Sequence, residues 1–174
     1  LQAIFAINTY TISATANPTE GGTIEGAGTY DHGTTVTLTP TANEGYHFEK
    51  WSNGSTDNPL NIVVTEDVEL QAIFAINTYT VTATATEGGT VTGADTYKHG
   101  EEVTLTATAN PGYKFTGWSD GETDNPYSFT ITEDVTLTAN FEKETYTRTV
   151  SADYYGTICL PFGSSEYNGA EFYE

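Results

Sequence analysis

Residues 1–11 read Leu-Gln-Ala-Ile-Phe-Ala-Ile-Asn-Thr-Tyr-Thr, and the same run returns unchanged at residues 70–80. A chain that repeats itself must solve one folding problem again at each copy, so this self-similarity bounds the architecture before any other feature does. The likeness extends well past the run. Thr19-Glu-Gly-Gly-Thr23 is matched by Thr86-Glu-Gly-Gly-Thr90, Tyr30 by Tyr97, and Gly45-Tyr46 by Gly112-Tyr113. Trp51 is matched by Trp118, and Asp57-Asn-Pro59 by Asp124-Asn-Pro126. Roughly three positions in five agree over a unit of about 67 residues. Residues 1–8 read as the last strand and linker of a preceding repeat, 9–75 as a first repeat, 76–143 as a second, and 144–174 as the start of a different module. The chain opens on Leu1 inside a repeat, and the expectation is a piece of a longer protein.

Within each copy the apolar residues alternate with threonine. Val103, Leu105, Ala107 and Ala109 fall on one side of Thr104, Thr106 and Thr108, and Val135, Leu137, Ala139 and Phe141 on one side of Thr136, Thr138 and Asn140. A period of two with β-branched residues between is the pattern of a strand with one wet face. Gly88-Gly89, His99-Gly100, Asn110-Pro111-Gly112, Asp120-Gly121 and Asn125-Pro126 separate these runs as turns. The spacing predicts about six short strands per repeat, and no window carries a helical period. The one length change between copies, Asn17-Pro18-Thr19 against Thr86 alone, falls where a surface loop tolerates insertion. Ala75-Ile76-Asn77 reads as a short linker, which predicts repeats held close in an elongated rod.

Charge narrows the function. With 24 acidic and 5 basic residues the formal net charge is -19, which repels nucleic acid and makes it an unsuitable partner. The 12 Tyr, 8 Phe and 2 Trp argue against disorder. The single cysteine, Cys159, cannot form an intrachain disulfide and reads as a small buried hydrophobe. No apolar stretch reaches the length of a membrane helix, so no membrane insertion is expected within these residues. From Thr145 onward the Gly-Gly, Gly-Tyr and Trp landmarks stop, and the apolar run Tyr154–Phe162 is too short to build a core unaided.

Taken together, Tyr79-Thr-Val-Thr-Ala, Gly88-Gly89-Thr, Gly100 before Val103-Thr-Leu, Gly112-Tyr113-Lys-Phe115-Thr-Gly-Trp118 and Asp134-Val-Thr-Leu-Thr-Ala-Asn-Phe141 resemble the divergent InlB-type B repeats of bacterial surface proteins. The first repeat carries the same skeleton in Gly45-Tyr46-His-Phe48-Glu-Lys-Trp51 and Asp67-Val-Glu-Leu-Gln-Ala-Ile-Phe74. The resemblance implies an extracellular location, at a bacterial cell surface or secreted, and a stalk- or adhesin-like role. It also implies a β-grasp-like module with a short helix, whereas residues 104–110, where that helix would fall, read as continuous strand.

Several residues invite a functional reading. Trp51 breaks the parity of Tyr46 and Phe48, and Trp118 that of Tyr113 and Phe115. Either a bulge returns each indole to the core, or it lies exposed as a platform on which a sugar ring stacks, with Tyr46 and Tyr113 beside it. A small module with little else to fill its centre favours the core. Asp120, Glu122 and Asp124 offer oxygen ligands for Ca²⁺, but the counterpart loop replaces acids with Asn53 and Ser55, and turn chemistry explains these residues better. His32 and His99 stand alone before Gly33 and Gly100 and read as turn positions rather than metal ligands. Lys50, Lys98 and Lys114 have no lysine counterpart in the other repeat, so no lysine crosslink is common to both.

The expectation is therefore an all-β chain of tandem small modules acting as a non-catalytic stalk that spaces or displays other domains, with no cofactor and no metal. Its partners are neighbouring repeats of the same chain. The alternative is a module that binds a glycan or a host protein through repeated exposed aromatics.

Overall fold

The structure, a computed structural model, describes residues 2–145. The readings made for Cys159, for Tyr154–Phe162 and for most of the 144–174 module lie outside the described residues. The first repeat forms β1 (Thr9–Asn17), β2 (Gly22–Glu25), β3 (Gly28–Asp31), β4 (Thr35–Ala42), β5 (Tyr46–Trp51), β6 (Leu60–Val63) and β7 (Val68–Ile76). The second forms β8 (Thr78–Ala85), β9 (Gly89–Thr92), β10 (Thr96–Lys98), β11 (Glu102–Ala109), β12 (Tyr113–Trp118), β13 (Tyr127–Thr130) and β14 (Val135–Lys143). Each repeat thus has seven strands where about six were expected.

Two sheets make each module. In the first repeat a four-stranded sheet runs β3-β1-β7-β5 and a three-stranded one β2-β4-β6; in the second the orders are β10-β8-β14-β12 and β13-β11-β9. All the pairings of the first repeat are antiparallel except β1 with β7, which run parallel in the register Ile12 to Val68 through Asn17 to Ile73. The all-β tandem modules expected from the sequence are what form, as small sandwiches. The described residues contain no α-helix, only a three-residue 3-10 turn at Thr19–Gly21, formed in the first repeat where Asn17-Pro18-Thr19 stands against Thr86 alone. Residues 104–109 lie in β11, so the helix implied by the resemblance is missing and a second sheet covers the core in its place.

The period-two pattern explains the packing. In β1 the inward set is Tyr10, Ile12, Ala14 and Ala16, and in β4 it is Val36, Leu38 and Pro40, with threonines between. From the first sheet come Ile12, Trp51, Leu70, Ala72 and Phe74, which meet Val36, Leu38 and Leu60 of the second sheet, and Val64, in one apolar cluster. The second repeat buries Val81, Val103, Leu105, Ala107, Trp118, Ile131, Leu137 and Ala139, while Ala109, at the strand end, is exposed. On the outer faces threonine hydroxyls bond across strands, as Thr37 Oγ1 does to Asn61 Oδ1 at 2.7 Å.

By compactness the chain divides into one unit of Leu1–Thr82, Ala94–Thr104 and Ser128–Thr136, and another of Ala83–Gly93, Leu105–Tyr127 and the residues from Leu137 onward. The division cuts through the second repeat, so the residues that join the repeats fall inside the first unit. β7 ends at Ile76 and β8 starts at Thr78, which leaves Asn77 alone between strands instead of a three-residue linker.

Candidate functional site

The strand that carries Tyr46, Phe48 and Trp51 pairs with β7 through Tyr46 opposite Ile76 and Phe48 opposite Phe74, and then the register slips, placing Lys50 opposite Ile73 and Trp51 opposite Ala72. Glu49 is the extra residue of a β-bulge. The slip turns the strand by one position and puts Trp51 on the same face as Phe48. In β12 the same slip falls between Phe115 and Gly117, and Trp118 sits opposite Ala139. The Phe48 and Trp51 rings meet edge to face at 5.5 Å and 63°, as do Phe115 and Trp118.

Both indoles are inside. Trp51 is 0% exposed and Trp118 3%, so neither offers a ring face on which a sugar could stack. Tyr46 and Tyr113 are half-buried. Tyr46 packs against the first apolar cluster, and the Tyr113 ring lies over Gly88 while its hydroxyl reaches Glu87 Oε1 at 3.4 Å. The structure thus brings each Trp together with a Phe and a core, and does not gather the four aromatics into an exposed row.

The loops after the tryptophans use their oxygens to hold themselves. Asn53 Oδ1 accepts from the Ser55 N–H at 3.0 Å, and Asp120 Oδ1 from the Glu122 N–H at 3.1 Å. The Trp51 N–H donates to the Ser55 carbonyl and the Trp118 N–H to that of Glu122, each at 2.7 Å, and both indole N–H groups donate to the loop, at Asp57 and Asp124. Among the described residues no group of three or more His, Cys, Asp and Glu side chains could hold a metal ion. Asp120 has another role: burial first, and then the Asp120 charge and hydrogen bond, with Glu122 beside it, push the Tyr127 phenol above its ordinary range.

His32 and His99 do occupy turns, with the following Gly33 and Gly100 N–H groups bonded to the Val64 and Ile131 carbonyls at 2.7 and 2.8 Å. What sequence reasoning missed is Asn77. Its N–H donates to the Gly45 carbonyl at 2.8 Å, its carbonyl accepts from the His99 N–H at 2.8 Å, and its side-chain oxygen lies 2.7 Å from His47 Nδ1. The signal available was the recurrence of Asn8 as Asn77 and of His32 as His99. At the corresponding end of the second repeat, the Lys114 ammonium pairs with Glu142 at 2.7 Å, and that hydrogen bond, with the Glu142 charge, raises the lysine pKa. The shallow depression there is lined by Lys114, Glu142, Lys143, Glu144 and Thr145.

No helix among the described residues is long and apolar enough to cross a membrane. No curated protein matches the sequence. Among solved structures, the Bacillus anthracis TIE protein is similar over 79% of this chain and 34% of that one, with a TM-score of 0.43 and 10% sequence identity. The chain therefore spans about a third of that structure's length. The model of the divergent InlB B-repeat domain matches twice, at residues 12–78 and 79–145, which together cover most of the chain. With two successive copies of the motif, each folded as a two-sheet module around a bulge-turned tryptophan, the chain belongs to the divergent InlB B-repeat family.

Proposed function

We propose that these repeats are a non-catalytic spacer in an extracellular bacterial surface protein, holding other domains apart. One observation carries the reading: the largest side chains that the two copies share, Trp51 and Trp118, are spent on making the fold. Trp51 and Trp118 are core, and their indole N–H groups close the loops that hold Asp57-Asn-Pro59 and Asp124-Asn-Pro126. Gly22 and Gly89 leave room for the Phe74 and Phe141 rings. A binding surface built on the repeated tryptophans would instead keep their rings in water. The heavy negative charge suits a long, soluble, exposed protein.

The test is to place a probe pair around one, two and three copies and measure the separation by pulsed electron resonance. A spacer adds a constant increment per copy. A separation that fails to grow, or saturable capture of a glycan or host protein by the repeats alone, contradicts the reading.

A further inference from the structure

Around Asn77 a joint is complete. The Gly45 carbonyl accepts the Asn77 N–H, the Asn77 carbonyl accepts the His99 N–H, and the His99 ring lies directly over Gly45. A Cβ at Gly45 would stand 2.2 Å from His99 Cδ2, and the backbone there has φ +79°, so the turn demands glycine on two counts. His99 is half-buried, with its Nδ1 shut away from solvent, and its ring sits 6.0 Å from Tyr79 at 58°.

At the start of the first repeat half of this joint is already built. The His32 N–H donates to the Asn8 carbonyl at 2.8 Å, and the His32 ring sits 6.0 Å from Tyr10 at 56°. His32, unlike His99, is exposed. The segment leading into it, Gln2–Asn8, has the same residues as Gln71–Asn77. Its Ile4 and Phe5 are 93% and 91% exposed, whereas Phe74, the counterpart of Phe5, is 4% exposed inside its module.

We propose that the His32 face is the acceptor half of a repeat-to-repeat joint and that its occupant is the Gly45-type turn of another copy of this repeat, placed before it in the chain. The Asn8 to His32 bond is in place, and Gln2–Asn8, which form no strand here, have the residues of Gln71–Asn77, which lie in β7 as far as Ile76. The inference rests on the spacer reading and deepens it, because such a joint would set the increment that each copy adds.

The experiment uses the whole chain and a version with residues 9–69 duplicated ahead of Leu1, so that the added copy ends in residues 1–8. Carbethoxylation by diethyl pyrocarbonate, read by peptide mass spectrometry, reports each histidine. In the unextended chain His32 should react several-fold faster than His99. In the extended chain His32 should slow to the His99 rate, and Gly45→Ala in the added copy should restore its reactivity. A His32 that stays reactive while the tryptophan of the added copy emits as a buried indole overturns the proposal. Gly45→Ala in the unextended chain asks the same question without added residues: His99 should approach the reactivity of His32, and undiminished protection again overturns it. A failed joint would leave a spacer with loose connections, whereas failure of the spacer itself is read from the probe separations.

Discussion

The indole N–H of Trp51 donates to the Asp57 carbonyl oxygen across 2.9 Å, and Trp118 makes the same bond to Asp124 at the same length. The bond ties the largest core side chain to the loop that follows its own strand. The bond thereby couples burial of the ring to closure of the loop in each module. Trp51→Ala should destabilise the first repeat by about 3–5 kcal/mol, the usual range for emptying a core of its largest ring. Urea melts of the variant and the parent measure it. Trp51→Phe keeps part of the volume but orphans the Asp57 carbonyl, and should speed amide exchange through residues 52–58 more than it lowers the melt.

Asn125 and Asn58 predict an asymmetry between the copies. The Asn125 side chain mimics a strand residue: its Nδ2 donates to the Ala107 carbonyl at 2.7 Å and its Oδ1 accepts from the Ala107 N–H at 2.9 Å. In the first repeat Pro40 stands in the place of Ala107 and has no N–H, so Asn58 is left with its bond to the Pro40 carbonyl, at 3.2 Å. Asn125→Ala should cost about 1–3 kcal/mol and Asn58→Ala about 1 kcal/mol or less, since orphaning two backbone groups costs more than orphaning one. Amide exchange within each repeat checks the order, and equal effects would count against it.

Gly89 lies under the Phe141 ring, where an added Cβ would fall 2.2 Å from ring carbon Cζ. Gly22 stands likewise under Phe74, with 2.5 Å to its Cζ. Gly89→Ala should push the ring from its place at a cost of about 1–3 kcal/mol, the usual range for overpacking. Restoring space with Phe141→Leu should recover part of the loss, and a double-mutant cycle reads the coupling.

Tyr127 supplies a pH prediction. Its phenol is held above the ordinary tyrosine range, by burial first and then by Asp120 and Glu122. A group whose pKa is raised on folding contributes stability that is whole below its unfolded value, near 10. That contribution is lost as pH climbs through the folded value. The second repeat should therefore weaken in alkali, and Tyr127→Phe should remove that part of the loss. Asp120→Asn should bring the phenol back toward its usual range, followed by absorbance of the phenolate.

Much of this architecture is legible in the sequence because its signals are local. Alternating threonines marked the strands, and Gly-Gly, Asn-Pro and His-Gly marked the turns. The tryptophans were ambiguous, since strict alternation sends Trp51 outward and only a bulge at Glu49 brings it in. Gly22 and Gly89 looked like turn glycines, but each also yields space to a phenylalanine ring from a distant strand. The β1 to β7 pairing and the Asn77 joint link residues far apart in the chain, and period and composition hold no record of such contacts.

On the spacer reading the shared tryptophans are core and not ligand surface, and their exposure in the folded chain is the deciding measurement. Emission should be blue-shifted and both indoles should resist acrylamide, in keeping with exposures of 0% and 3%. Red-shifted emission with ready quenching would place two large aromatics in water and rule the spacer reading out.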